Sequence, residues 1–339
     1  VPAQTITSAM LANSAVTAAK IAPGVLTHLD APDGSPANAL VVNTNGLVGI
    51  GTATPAAGLQ VSSGITNLIP TFLSEVVDGI GQYSNLNANV SVAVSGNLLA
   101  LGSSGDSAVT LVNIGAPNAP GLYWSTSDGT GSYTNLGGVA GLALSGNLLA
   151  IAWEFKGREE AIAAGRNPEF LSRDALWPDH VIEIDPGTDS IVWEWHAWDH
   201  LIQQFDSTKQ NWGVVREHPE LININYHSDT RGTADWHHCN SVDYNAELDQ
   251  IVINSVQGEF YVIDHGGTFV AGDPTASIAL AATGAGDFLY RFGDPARYDQ
   301  GSKPEILEDW TLSTTGTKQI GGAHHIQWIA DGLEGAGHF

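Results

Sequence analysis

"SVAVSGNLLALGSS" (residues 91–104) returns fifty residues later as "GLALSGNLLAIAWE" (141–154). Each copy alternates apolar with small or polar residues, breaks at Ser-Gly-Asn, and resumes as an apolar run. Period-2 alternation marks a strand, and a Gly-Asn step between two such runs marks a hairpin. Between the copies, "DSAVTLVNIGAPNAPG" (106–121) supplies a third strand and a Pro-Gly turn. A multi-strand unit recurring every 40–50 residues or so is the signature of propeller blades. The expected fold is therefore all-β, a β-propeller. About 275 residues divided by roughly 45 per blade gives five or six blades. A sandwich of two similar hairpin sheets is the competing architecture.

The theme continues downstream. "HVIEID" (180–185) and "SIVWEWH" (190–196) flank the Asp185-Pro186-Gly187 turn, and "DQIVINS" (249–255) is followed by "EFYVIDH" (259–265). "FLYRFGDP" (288–295) and "HHIQWIADG" (324–332) are expected to form a further pair. "WEFKGREEAIAAGRNPEF" (153–170) starts as a strand and becomes a short charged helix, stopped at Asn167-Pro168.

Composition agrees with a turn-rich β protein: 43% hydrophobic and 14% charged residues, with 39 Gly and 15 Pro. No run approaches the roughly 20 apolar residues that span a bilayer. Net charge is −24, from 12 Lys and Arg against 36 Asp and Glu. Nucleic acid, which requires a cationic stripe, is disfavoured as a partner, and so are anionic membrane surfaces. A small anionic substrate is still compatible, because repulsion is screened beyond about 10 Å. The single cysteine, Cys239, precludes an intrachain disulfide framework. The sequence opens at Val1 without an initiator Met: either a leader has been removed or the sequence is a trimmed piece, and export to the periplasm or cell exterior is the expectation.

Residues 1–64 form a low-complexity lead. "ITSAMLA" (6–12) recurs as "VTAAKIA" (16–22), and "NTNGLVGIGTATPAAGLQV" (43–61) places Asn45-Gly46 as a tight turn between short strands. Both patterns resemble stalk and collar segments of phage tail fibres and bacterial surface fibres. That resemblance implies assembly into a homo-oligomer or fibre; a flexible Ala-rich leader is the competing reading. The expected organisation is a fibre-like lead over 1–64 and a propeller over 65–339. Within the latter, 65–152 are repeat blades and 153–339 carry the chemistry.

The reactive residue types lie in that last part. Of ten tryptophans only Trp124 precedes Trp153, of twelve histidines only His28 precedes His180, and of twelve Lys and Arg only Lys20 precedes Lys156. "LWPDHVIEIDPGTDSIVWEWHAWDHLIQQFDSTK" (176–209), "DWHHCNSVDYNAELDQIVINS" (235–255), "YVIDH" (261–265), "LYRFGDP" (289–295) and "GGAHHIQWIADGLEGAG" (321–337) together resemble the bacterial arylsulfate sulfotransferases, over roughly 152–337. The resemblance implies an exported six-bladed propeller that moves a sulfuryl group from a phenolic sulfate donor to a phenol acceptor. It needs no nucleotide or other cofactor and forms a covalent histidine intermediate. It places the nucleophile at His324 and a second functional histidine at His238.

Strand alternation turns the neighbours His325 and His237 away from the funnel. His237, His325, Asn240, Gln257 and Arg291 complete the candidate substrate-binding set. Two departures from the family pattern stand out. Gln257 occupies the place of a sulfate-binding arginine, and "GLALSGNLLAIAWEF" (141–155) lacks an upstream histidine. They keep a second reading open: a non-catalytic extracellular propeller serving as a structural or surface-binding module.

Weaker patterns complete the survey. His196 and His200, four apart, would share one helical face and could ligate Zn²⁺, although the interleaved aromatics favour packing. Oxygen-rich loops such as Asp185–Asp189 could hold a structural Ca²⁺, without any EF-hand or nonapeptide pattern. Cys239 reads as a small buried hydrophobe.

Overall fold

The computed structural model describes residues 76–116, 119–171, 174–226, 234–302, 316–329 and 332–339, with four short strands nearer the N-terminus. The chain separates into two compact units, Val1–Phe72 and Leu73–Phe339. In the first, β1 (His28–Leu29), β2 (Leu40–Val42), β3 (Val48–Ile50) and β4 (Leu59–Val61) form one sheet in that order; only the β3–β4 pairing is parallel. The strands flanking Asn45-Gly46 thus pair antiparallel. The turn itself and the ten-residue repeat lie outside the described residues.

The second unit is mostly β, and its alternating runs form three four-stranded antiparallel sheets. The first holds β5 (Asn89–Ser95), β6 (Leu98–Ser103), β7 (Ala108–Asn113) and β8 (Gly121–Ser127) as a meander. The second holds β9 (Gly137–Ser145) and β10 (Asn147–Trp153), followed after an excursion by β13 (Asp179–Asp185) and β14 (Ser190–His196). The excursion comprises β11 (Lys156–Gly157), α1 (Arg158–Ala163) and β12 (Ala175–Leu176). Asn167 caps the 3-10 turn that follows α1, accepting a hydrogen bond from Glu169 N. A short parallel pair, β15 (Leu201–Ile202) with β16 (Ile222–Asn223), precedes the third sheet. That sheet is β17 (Cys239–Asn245), β18 (Gln250–Ser255), β19 (Glu259–Asp264) and β20 (Tyr290–Phe292), with α2 (Pro274–Ala281) between the last two. The two sequence repeats are β5–β6 and β9–β10, the opening hairpins of successive sheets. Among the described residues no helix is long and apolar enough to cross a membrane.

Period-2 alternation decides what each face touches. On β10, Leu148, Ala150 and Ala152 join Leu111, Leu136 and Ile182 in a core against the first sheet. Leu149 and Ile151, one residue out of phase, join Trp193, Trp236, Ile251 and Tyr261 against the third. The second sheet is buried on both faces, which explains its near-continuous apolar strands. On the third sheet Val252 and Val262 turn the other way and pack against Trp328. The opening strands also lie side by side, β9 against both β5 and β17.

One expected pairing is replaced. Among the described residues, 288–295 and 324–329 do not pair with each other: β20 adds to β19, while the later segment runs along β17. Ile326 N donates to Ser241 Oγ (2.9 Å) and Trp328 N to Asp243 Oδ2 (2.8 Å), so polar side chains of β17 serve as its acceptors.

Away from the histidine-rich edge, the second and third sheets are clasped by His265. Its Nε2 lies 2.7 Å from Glu183 Oε2 and its Nδ1 2.8 Å from Asp249 Oδ1, and its ring packs on Trp193 and Tyr244. The hydrogen bond to Glu183 raises the His265 pKa above its ordinary value, with Asp249 adding to it against burial. The clasp is therefore complete below the unfolded histidine value, about 6.5, and is lost as pH rises through the raised folded value. Replacing His265 by Ala should lower Tm more at pH 6 than at pH 9.5. A difference that does not change with pH would show that the ring contributes only packing.

Candidate functional site

Three strand starts, β9, β13 and β17, and two strand ends, β10 and β18, meet at one edge of the second and third sheets. The "DWHHC" stretch enters there. Cys239 is the first strand residue, so strand alternation begins only after the histidine pair. His238 instead takes the left-handed conformation (φ +49°), which costs a non-glycine residue roughly 1–3 kcal/mol and recurs at functional sites. The turn sends the two imidazoles to different places.

His237 is fully buried, stacked on Trp236, with Nε2 2.9 Å from the Tyr261 hydroxyl. That hydroxyl donates to Glu259 Oε2 (2.9 Å), so it accepts from His237 Nε2–H and leaves the Nδ1 lone pair facing inward. Burial drives the His237 pKa well below its ordinary value. His238 keeps 39% of its side chain exposed and pairs through Nδ1 with Asp235 Oδ2. This hydrogen bond raises the His238 pKa against the opposing effect of burial. It also fixes the tautomer that presents Nε2 outward, the orientation logic of a base held by a carboxylate.

His324 reaches the same edge from far along the chain. Val256 N donates to His238 O (3.0 Å), and Gly322 N donates to Val256 O (3.3 Å). Asn240 and Asn254 both donate through Nδ2 to Ala323 O, at 3.0 and 2.8 Å. The segment carrying His324 is thus tied to the segment carrying His238 through the β18–β19 turn, where Gln257 sits. His324 is exposed and donates Nδ1–H to Gly322 O (2.7 Å), again directing Nε2 outward. His325 is exposed, with Nε2 2.8 Å from Gln327 Oε1. Because this segment is not a strand, alternation does not separate His324 from His325 as expected.

Arg291 is engaged internally. Its guanidinium bonds Glu259 Oε1 and Oε2 (3.2 and 2.6 Å) and the carbonyls of Pro219 and Leu221 (2.8 and 3.0 Å), over the Tyr298 ring. Arg297 joins the same carboxylate at 2.8 Å. The expected shared helical face of His196 and His200 does not form, because β14 ends at His196 and a 3-10 turn follows. His200 is buried on Trp195 and bonds Asp287, whereas His196 bonds Glu154 and Glu194. In the 185–189 loop, Asp185 accepts from Gly187 N and the Thr188 hydroxyl, and Asp189 from Trp124 Nε1 and the Tyr133 hydroxyl.

Several residues near this edge were not singled out by the sequence. Trp153 stacks on Trp177 (5.5 Å between centroids, 27°) and lies 6.5 Å from the His238 ring. The pair opens onto a pocket of about 260 Å³, also lined by Phe155, Glu154, Asn135 and Thr134. Burial alone would raise Glu154, but the hydrogen bond and charge of His196 hold it at about 2. His196 is itself raised to about 10 by Glu154 and Glu194 against its own burial. Lys318 packs its side chain across Gly258, beside Gln257, and among the described residues no ion pair claims it. Asp235 had a local signal, a carboxylate three residues before a turn histidine. Lys318 had none, because its position depends on the return of the chain.

Gly138 (φ +56°) makes the tryptophan stack attainable, since a Cβ there would fall 2.3 Å from the Trp153 ring. Gly138→Ala should displace Trp153 and cost about 1–3 kcal/mol, through strain at positive φ and overpacking. Denaturant midpoints and the far-UV exciton signal of the tryptophan pair report both effects; an unchanged exciton signal would mean that Trp153 has room to adapt.

Comparison with solved structures returned distant likenesses. They include the glutaminyl cyclase of Myxococcus xanthus (11% identity, 51% of this chain and 47% of that one, TM-score 0.24). The BamB protein of Moraxella catarrhalis (7%, 66% and 42%, TM-score 0.27) and the computationally designed Ika4 protein (11%, 67% and 89%, TM-score 0.27) are further examples. The chain spans less than half the length of the first two. No curated protein matches. Residues 162–269, from α1 through β19 and including the Asp235–His238 motif, match the family model for arylsulfotransferase (ASST).

Proposed function

We propose that the second unit is an arylsulfate sulfotransferase-like propeller of five or six blades, whose chemistry is carried by His324 and His238. Three consecutive antiparallel sheets with their opening strands side by side support the propeller reading, residues 323–328 taking the place of the next opening strand. The observation that carries the function is the tie through Val256, which brings two outward-facing imidazoles from residues 238 and 324 to one edge.

His324 Nε2 attacks the sulfur of an aryl sulfate while the sulfur–oxygen bond to the ring breaks. The departing phenolate takes a proton from the His238 imidazolium, which Asp235 stabilises. An acceptor phenol then gives its proton to neutral His238 and attacks the sulfo-histidine sulfur, releasing His324. The Trp153–Trp177 pocket is sized for a single aromatic ring. Lys318 provides, beside Gln257, the positive charge that glutamine lacks for the sulfate oxygens. Arg291 and His237 belong to the scaffold beneath. Export, and assembly through the N-terminal unit, form part of the same reading.

Incubation with 4-nitrophenyl sulfate and a phenol acceptor tests it through nitrophenolate release. His324→Ala should abolish turnover, and His238→Ala should cost roughly 10²-fold or more, the scale for a positioned acid or base. Lys318→Met should raise KM about tenfold with a smaller effect on kcat, as expected for losing one charge-assisted contact. Unchanged release in His324→Ala would refute the nucleophile assignment. No release by the unaltered protein across several phenols would favour a non-catalytic surface module.

A further inference from the structure

Beneath His238, where β13 and β17 begin, three side chains converge: Asp179, His237 and Cys239, each about 1% exposed or less. One ligand atom from each lies within 4.8 Å of the others. His237 Nδ1 is 3.7 Å from Cys239 Sγ and 3.7 Å from Asp179 Oδ2. We infer that these residues form a buried binding site for a divalent cation of the Zn²⁺ class, cross-linking the second and third sheets.

Three features point to a ligand rather than to a packed polar cluster. The Nδ1 lone pair faces the cluster because Nε2–H is committed to Tyr261, which is held by Glu259. That relay of carboxylate, hydroxyl and imidazole is the outer support that metal-bound histidines use. Asp179 Oδ1 is buried without a hydrogen-bond partner, although Oδ2 accepts from Cys239 N (3.1 Å). An uncompensated buried carboxylate oxygen is costly, and a cation removes that cost. The spacing also fits. With metal–sulfur and metal–nitrogen bonds of about 2.3 and 2.0–2.1 Å, a tetrahedral centre sets sulfur and nitrogen roughly 3.6 Å apart.

The donor set of thiolate, imidazole and carboxylate selects Zn²⁺ over Ca²⁺ or Mg²⁺, which prefer oxygen alone. On binding, the Cys239 thiol and the Asp179 carboxyl each give up a proton to solvent; the sulfur and a carboxylate oxygen then join the metal, and neutral His237 donates its Nδ1 lone pair. Asp179 and Cys239 together offset the charge of a divalent ion. Three protein ligands leave one position of a tetrahedron for water. The site needs no sulfotransferase activity and is independent of that reading.

Because Cys239 is the only cysteine of the chain, the intact protein can report on it directly. After metal removal and addition of Co²⁺, the full chain should bind about one equivalent and show tetrahedral ligand-field bands with a thiolate-to-cobalt charge-transfer band. Zn²⁺ should displace the cobalt signal and raise Tm. Cys239→Ser should lose the charge-transfer band, and His237→Ala should weaken binding by roughly 10-fold or more. Absence of a charge-transfer band in the unaltered protein would overturn the proposal even if both variants failed to fold. So would cobalt bands unaffected by Cys239→Ser, which would place the ion elsewhere.

Discussion

The second unit depends on a strict alternation in β10. Leu148, Ala150 and Ala152 go to one core, and Leu149 and Ile151 to the other. A slip of one residue would exchange the two sets, because strand side chains alternate exactly by face. With both faces buried, the strand must be apolar throughout and the neighbouring sheets must be present on either side. That requirement holds the sheets in series and puts the starts of β9, β13 and β17 at a common edge. The stacking brings the histidine-bearing segments to this edge, and the left-handed turn at His238 then sets which imidazole faces outward.

Polar groups near that edge are arranged in layers. Outermost are His238 and His324, each bonded through Nδ1 to an oxygen acceptor and half-exposed or exposed. Beneath them lie His237, Cys239 and Asp179, sealed from solvent. Burial pushes the Asp179 carboxyl up to about 8, the behaviour of a group without enough compensation for its charge. Deeper still, Glu259 is fully buried and joined to both Arg291 and Arg297. A carboxylate so enclosed is stable only because two guanidiniums and the Tyr261 hydroxyl satisfy it. Removing either arginine would leave charge stranded in the core. The layering explains why adjacent residues 237 and 238 differ so completely in environment.

The acidic character of the chain sharpens the role of its few cations. Arg166, Arg291 and Arg297 are spent inside, on backbone carbonyls, aromatic faces and Glu259. Burial lowers the Arg166 pKa to about 10, and among the described residues no carboxylate offsets it. Lys318 is different: it lies over Gly258, half-buried, next to the turn that links His238 to Gly322.

The sequence by itself determined the strands, the hairpin turns and the fifty-residue repeat, because alternation and turn chemistry are local and period 2 leaves little ambiguity. It also showed that nearly all histidines, tryptophans and cations lie in the second half, and marked Cys239 as buried. The His237–His238 division was legible in outcome, one inside and one outside, though the cause is a left-handed turn at His238, not strand alternation. Tertiary structure decided the rest. It committed Arg291 to Glu259, separated His196 from His200, and laid residues 323–328 along β17 in place of a pairing with β20. It also gathered Asp179, His237 and Cys239, two of them from one segment and the third sixty residues earlier. Such juxtapositions follow from how whole sheets stack, and no window of sequence carries that information.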